Sequence, residues 1–215
     1  MGSNLIKKKI ILSGFGKFCG VEDNPSSHLV RDIENYINTL ENKNELKFEI
    51  VKKDIIEVSA EATNHYLKTL ENVNLNKDNN QNPFLLHLGV SSSELSNRLE
   101  MYGWNMADFR CKDERGWMPS KELIDQDDSN EKYETQLPIL EFTNQLSSLN
   151  YKVKESDDPG RFLCNYIYFL SLKLSKQYKT DSLFLHIPEF KTIDKNSQLK
   201  FLVDLMNLIA VEKLK

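Results

Sequence analysis

The chain has 215 residues, 40% of them hydrophobic and 28% charged, with a formal net charge of −4. This is globular composition with enough length for one domain and a substantial core, and an acidic balance without a long basic run argues against nucleic acid as a partner. No apolar run reaches the length of a membrane span. The three cysteines lack CxxC spacing and the four histidines lie far apart, so the sequence carries neither a disulfide framework nor a metal signature, and a reducing, cytoplasmic setting is expected.

Lys7-Lys8-Lys9 reads as the solvated start of a strand that continues through Ile10-Ile11-Leu12-Ser13, a short apolar run suited to burial. Gly14-Phe15-Gly16-Lys17-Phe18 follows as a turn in which two glycines let the backbone approach a neighbour closely. Phe15 and Phe18 can serve equally as core residues or as substrate contacts. Asn24-Pro25-Ser26 opens a helix whose apolar positions Leu29, Val30, Ile33, Ile37 and Leu40 keep helical spacing. A glycine loop between strand and helix invites a phosphate, but the third glycine of the dinucleotide pattern is missing and the helix starts late.

Phe48 to Val51 begins a second strand, and a helix runs from about Ala60 to Leu70. Residues 71–82 are rich in asparagine and read as a surface loop. Phe84 to Val90 is continuously apolar and predicts a central parallel strand, with His87 a satisfied core histidine and Gly89 at the end where α/β sheets place ligands. From Ser91 to Pro119 no helical period is evident; weak alternation over Arg98 to Tyr102 predicts a strand or hairpin, and Gly116 to Pro119 a turn. Residues 123–132 are acidic and predicted exposed; Leu137 to Leu146 predicts a helix and Lys152-Val153-Lys154 a short strand.

The segment from Ser156 to Leu172 organises the chain. Asp158 before Pro159 reads as an N-cap followed by proline at the first helical position, which puts Cys164 in the first or second turn. There the helix dipole and unpaired N–H groups favour a thiolate. The blander alternative is a small buried apolar residue. Ser182 to Pro188 is a second apolar strand with His186 near its C-terminal end, and a final helix spans about Ser197 to Lys213. Strands alternating with helices predict an α/β fold, a three-layer αβα sandwich around a mostly parallel, twisted mixed sheet, with residues 1–215 as a single domain.

In right-handed βαβ geometry, the start of the Cys164 helix and the end of the His186 strand lie at the same edge of the sheet. A thiolate–imidazolium pair is then plausible. A third group must orient the imidazole, and Glu94, Glu100 and Asp108 are all candidates by position.

Five segments in order resemble the pyroglutamyl-peptidase I (pyrrolidone-carboxylate peptidase) family of cysteine peptidases. They are Gly14-Phe15-Gly16-Lys17-Phe18 with Asn24-Pro25-Ser26; His87-Leu88-Gly89-Val90 with Glu100 eleven residues after Gly89; Asn105 and Arg110; Asp158 to Tyr166; and Phe184-Leu185-His186-Ile187-Pro188. Arg110-Cys111 and Gly116-Trp117-Met118-Pro119 resemble plant-like members. The resemblance implies removal of N-terminal pyroglutamate from peptides, with Cys164 as nucleophile, His186 as acid and base, and Glu100 as orienting carboxylate. It further implies Phe15, Phe18, Phe162 and Leu163 as walls for the lactam ring and Arg110 as an oxyanion donor. No metal or organic cofactor is implied, and a homo-oligomer is compatible, since members include monomers and tetramers. Lys17, Cys19, Val90 and Pro159 depart from the family's usual residues and bear on turn geometry and substrate affinity. A non-catalytic α/β binding module keeping the site by descent is the alternative reading; loss of the nucleophile, histidine or glutamate would have favoured it, and all three are present.

Overall fold

The computed structural model describes residues 7–18, 20–76 and 81–214. Strand β1 spans Lys8–Phe15, β2 Phe48–Ile56, β3 Phe84–Val90, β4 Asn97–Glu100, β5 Tyr102–Trp104, β6 Lys132–Glu134, β7 Val153–Ser156 and β8 Ser182–Ile187. Helices are α1 (Pro25–Thr39), α2 (Ala60–Val73), α3 (Ile139–Ser148), α4 (Leu163–Tyr178) and α5 (Lys195–Lys213). Six strands form one sheet in the order β2-β1-β3-β8-β4-β7, and β5 pairs with β6 separately. β2, β1, β3 and β8 run parallel; β4 is antiparallel to β8 and parallel to β7.

Strand alternation explains the layers. Ile10, Leu12, Leu86, Leu88, Leu183 and Leu185 face one side and pack with buried residues of α1, α3 and α5. Ile11, Leu85 and Phe184 face the other side and pack with α2 and α4. The parity that puts Phe184 beneath α4 puts His186 and, on the neighbouring strand, Gly89 on that face as well, because Gly89 is registered with His186.

Several local expectations need correction. β1 runs through Gly14 and Phe15, which stay paired with Ile55 and Ile56, where a turn was expected. The glycine serves close packing: a Cβ at Gly14 would lie 2.8 Å from the Ser26 carbonyl oxygen at the start of α1. Helix α2 continues to Val73, three residues into the expected loop, and residues 77–80 of that loop lie outside the described residues. β4 and β5 do not make a hairpin with each other, since β4 joins the main sheet and β5 pairs with β6. The acidic stretch is partly buried: Lys173 is held by Asp125 and, at 3.0 Å, by Asp128, so the two acids strap the 105–131 segment to α4.

β7 is antiparallel to β8 through β4, so α4 is not the crossover of a parallel βαβ unit. The ends still meet for a simpler reason. α4 leads directly into β8 and packs back along it, so the first turn of α4 lies over the C-terminal end of β8.

Candidate active site

Asp158 does not cap α4. Its carboxylate accepts the Gly160 N–H at 2.9 Å and pairs with Arg161, closing a turn that holds Gly160 at φ 79°, a conformation glycine adopts without strain. The N-cap is Phe162, which has no capping side chain, and the first helical hydrogen bond runs from Tyr166 N–H to the Phe162 carbonyl at 3.0 Å. Cys164 is therefore the second residue of α4, in the turn where backbone N–H groups lack helical partners.

Asn165, fully buried, has a different task. Its amide oxygen accepts the Trp104 N–H at 2.7 Å, and its amide nitrogen donates to the carbonyls of Trp104 at 2.8 Å and Met106 at 2.9 Å. The start of α4 is thereby fastened to the loop leading to Arg110, and Asp108 N–H adds a bond to the Arg161 carbonyl at 3.0 Å. Asn165→Ala takes the side-chain partner from the Trp104 N–H and the Met106 carbonyl, the Trp104 carbonyl keeping the Met106 N–H at 2.7 Å, and is expected to destabilise the protein by about 1–3 kcal/mol, measured by denaturant unfolding.

His186 is 4% exposed and Glu100 is fully buried. His186 Nδ1 lies 2.7 Å from Glu100 Oε1, and Cys164 faces the same imidazole closely enough to shift its titration. Burial pushes His186 down, but the influence of Cys164, followed by that of Glu100, raises it to about 9. Among the three candidate carboxylates only Glu100 bonds His186 among the described residues; Glu94 instead pairs with Arg98 at 3.0 Å and Lys154 at 2.9 Å. Asp108 is exposed and lines the cleft.

Cys164 Sγ rests against Gly89. A Cβ built there would lie 3.0 Å from Sγ and 2.7 Å from the buried Phe184 ring. Gly89→Ala is therefore expected to displace the thiol from His186, lowering turnover far more than the about 1–3 kcal/mol of overpacking lowers stability. Parallel thermal unfolding and turnover measurements check this.

The group opens into a cleft of about 930 Å³ to which Phe15, Phe18, Phe162, Leu163, Val90 and Arg110 all contribute. Phe15 and Leu163 are buried, Phe18 and Phe162 half-buried, and Arg110 exposed. The Phe18 and Phe162 rings stand 6.1 Å apart. Phe109, which sequence reasoning missed, braces Phe162 edge-on at 4.8 Å and is itself backed by Trp117 at 5.1 Å. Arg98 was missed as well; its position two residues before Glu100 in a strand was the available signal, since alternation puts both on one face.

His87 bridges Ser13 at 2.7 Å and Ser171 at 2.8 Å inside the core, and burial drives it down to about 3, so it is the satisfied, neutral histidine its strand predicted. Lys17 is exposed and 4.0 Å from Glu22, so that departure faces solvent. Cys164 is a free thiol, whereas Cys111 is disulfide-bonded, contrary to the expectation of no disulfide; Cys19 lies outside the described residues. No cluster of metal-ligating side chains occurs among the described residues.

A family model described as pyroglutamyl peptidase matches residues 8–199. The pyrrolidone-carboxylate peptidase of Fusobacterium nucleatum is 27% identical over 183 residues, covering 84% of this chain and 78% of that protein. The one from Thermococcus litoralis is 25% identical over 184 residues, covering 84% and 76%. Among solved structures, a mutant pyrrolidone carboxyl peptidase from Pyrococcus furiosus superposes with a TM-score of 0.78 at 22% identity, covering 96% of this chain and 100% of that one. Pyroglutamyl peptidase I from Bacillus amyloliquefaciens gives a TM-score of 0.74 at 21% identity, covering 95% and 94%.

Proposed function

The chain belongs to the pyroglutamyl peptidase family, and from that premise we propose that it is a cysteine peptidase removing N-terminal pyroglutamate from peptides through Cys164, His186 and Glu100. The observation that carries this reading is the buried Glu100–His186 bond of 2.7 Å, continued to the free thiol Cys164 at the uncapped start of α4. These are the three roles thiol acyl transfer requires: a nucleophile, a base within hydrogen-bond reach, and a group that orients the base.

In this mechanism the Cys164 thiolate attacks the carbonyl joining pyroglutamate to the next residue. Backbone N–H groups in the first turn of α4, with Arg110, stabilise the oxyanion; one such donor contributes about 2.7–4 kcal/mol to lowering the barrier. His186 protonates the departing amine and then activates water against the thioester. Glu100 holds the imidazole and stabilises its cation. No step calls for a metal or organic cofactor. The lactam ring is compact and neutral, so its site needs apolar walls rather than a carboxylate for a free amine. Phe15, Phe18, Phe162 and Leu163 supply those walls.

We take residues 1–215 as one catalytic domain acting on peptides, and we place it in the cytoplasm, where Cys164 is kept reduced. The Cys111 bond is the observation that pulls against that placement. The substrate test is release of aminomethylcoumarin from its pyroglutamyl and prolyl amides under conditions that reduce Cys164. Release from the pyroglutamyl amide alone supports the reading. A folded protein that cleaves neither contradicts it.

A further inference from the structure

We propose that Arg98 is a positioning residue that acts through Glu100 and His186, making His186 a better proton donor to the departing amine; this rests on the triad reading above. Arg98 and Glu100 share one face of β4, and Arg98 is registered opposite His186 on β8. One guanidinium nitrogen lies 3.3 Å from Glu100 Oε1 and 3.4 Å from His186 Nδ1. The other lies 3.0 Å from Glu94.

Glu100 Oε1 thus bonds the imidazole and stands at ion-pair distance from the guanidinium, while Oε2 is buried with no hydrogen-bond partner among the described residues. With Nδ1–H donated to Glu100, the Arg98 contact to Nδ1 brings two cationic groups together rather than forming a hydrogen bond. When His186 passes its Nε2 proton to the leaving amine and becomes neutral, Glu100 would be left as a buried, uncompensated anion. Arg98 supplies the counter-charge in that state and disfavours the imidazolium in the state before it. The transfer moves one proton and needs no added reactant.

Other charged groups frame the same imidazole. Cys164 faces it from α4, Glu100 and Arg98 from β4, and Glu94 from the β3–β4 connection, held in turn by Lys154 of β7. The cleft is also lined by charged groups of the loops: Glu22, Asp23, Asp108, Arg110, Asp158, Arg161, Glu189 and Lys191. The buried His87 on β3 is neutral and adds no charge. Of these cations, Arg98 is the one in contact with Nδ1, at 3.4 Å.

Removing a cation beside a titrating pair raises the pH at which the pair loses protons. The experiment follows two pH profiles for each protein, kcat/KM on the pyroglutamyl coumarin amide and the rate of Cys164 alkylation by iodoacetamide. Arg98→Gln is expected to move both profiles to higher pH by about one unit and to lower kcat more than it raises KM. Arg98→Lys, which keeps the charge, is expected to restore most of the shift. Should Arg98→Gln fail to fold because Glu94 is left with Lys154 alone, the comparison is made between Glu94→Gln and the Glu94→Gln, Arg98→Gln pair, in which both half-buried partners are replaced together. Unshifted profiles in Arg98→Gln, or in the double variant against Glu94→Gln, overturn the role of Arg98. Because alkylation needs no substrate, a wild type that alkylates but does not hydrolyse the amide refutes the peptidase reading, while a shift in alkylation alone still supports the charge coupling.

Discussion

Cys164→Ala is expected to reduce release from a pyroglutamyl amide by about a million-fold, the scale seen when the nucleophile of a hydrolase triad is removed. Cys164 is half-buried in the first turn of a helix, where alanine is well tolerated, so the fold should survive the change. The substitution also has a signature on its neighbour. Cys164 supplies the largest raising influence on His186, through its charge. Without it the imidazole is expected to titrate well below about 9, because burial then acts with less opposition. Turnover assays and an NMR titration of the His186 ring test the two effects separately. A variant that keeps wild-type turnover removes Cys164 from the chemistry.

Glu100→Gln has the second largest effect. The amide keeps the shape of the carboxylate but loses the negative charge 2.7 Å from Nδ1. Turnover is expected to fall about 10,000-fold, as when the matching carboxylate of a serine triad becomes an amide. The pH dependence gives the sign. Glu100 raises His186, so its loss lowers the imidazole, and the alkaline limb of kcat/KM moves to lower pH. The linked stability changes in the same direction. In the wild type, the raised His186 contributes stability that is complete below its ordinary value of 6.5 and is lost as pH rises through about 9. In the variant that loss begins at lower pH. Full turnover with an unmoved alkaline limb would separate Glu100 from His186.

Much of this arrangement was legible in the residues because short-range physics fixes it. β3 and β8 are continuous apolar runs, so they form the centre of the sheet, and His186 and Gly89 follow from their places near the strand ends. α1 begins at Asn24-Pro25 because the asparagine side chain accepts the Ser26 N–H at 3.1 Å. The same rule misplaced the start of α4. Asp158-Pro159 has the composition of a cap, but Asp158 is used to close the turn around Gly160, and the helix starts five residues later. That difference matters, because an uncapped first turn leaves N–H groups free beside Cys164.

What was not legible depends on distant pairing. β4 enters the main sheet antiparallel beside β8, and its weak alternation over four residues gave no hint of that partner. Arg98 opposite His186 follows only from that register. Phe109 and Asn165 likewise reveal their tasks through neighbours far along the chain, one bracing Phe162 and the other holding the backbone at Trp104 and Met106.

The most direct measurement is the mass of Cys164 during turnover. The protein is mixed with excess pyroglutamyl coumarin amide, quenched in acid within the first turnovers, digested and examined by mass spectrometry. The account predicts one pyroglutamyl group on the peptide containing Cys164, joined as a thioester, released by hydroxylamine and absent from Cys164→Ala. Hydrolysis that proceeds with the acyl group on another residue, or with Cys164→Ala as active as the wild type, would contradict it.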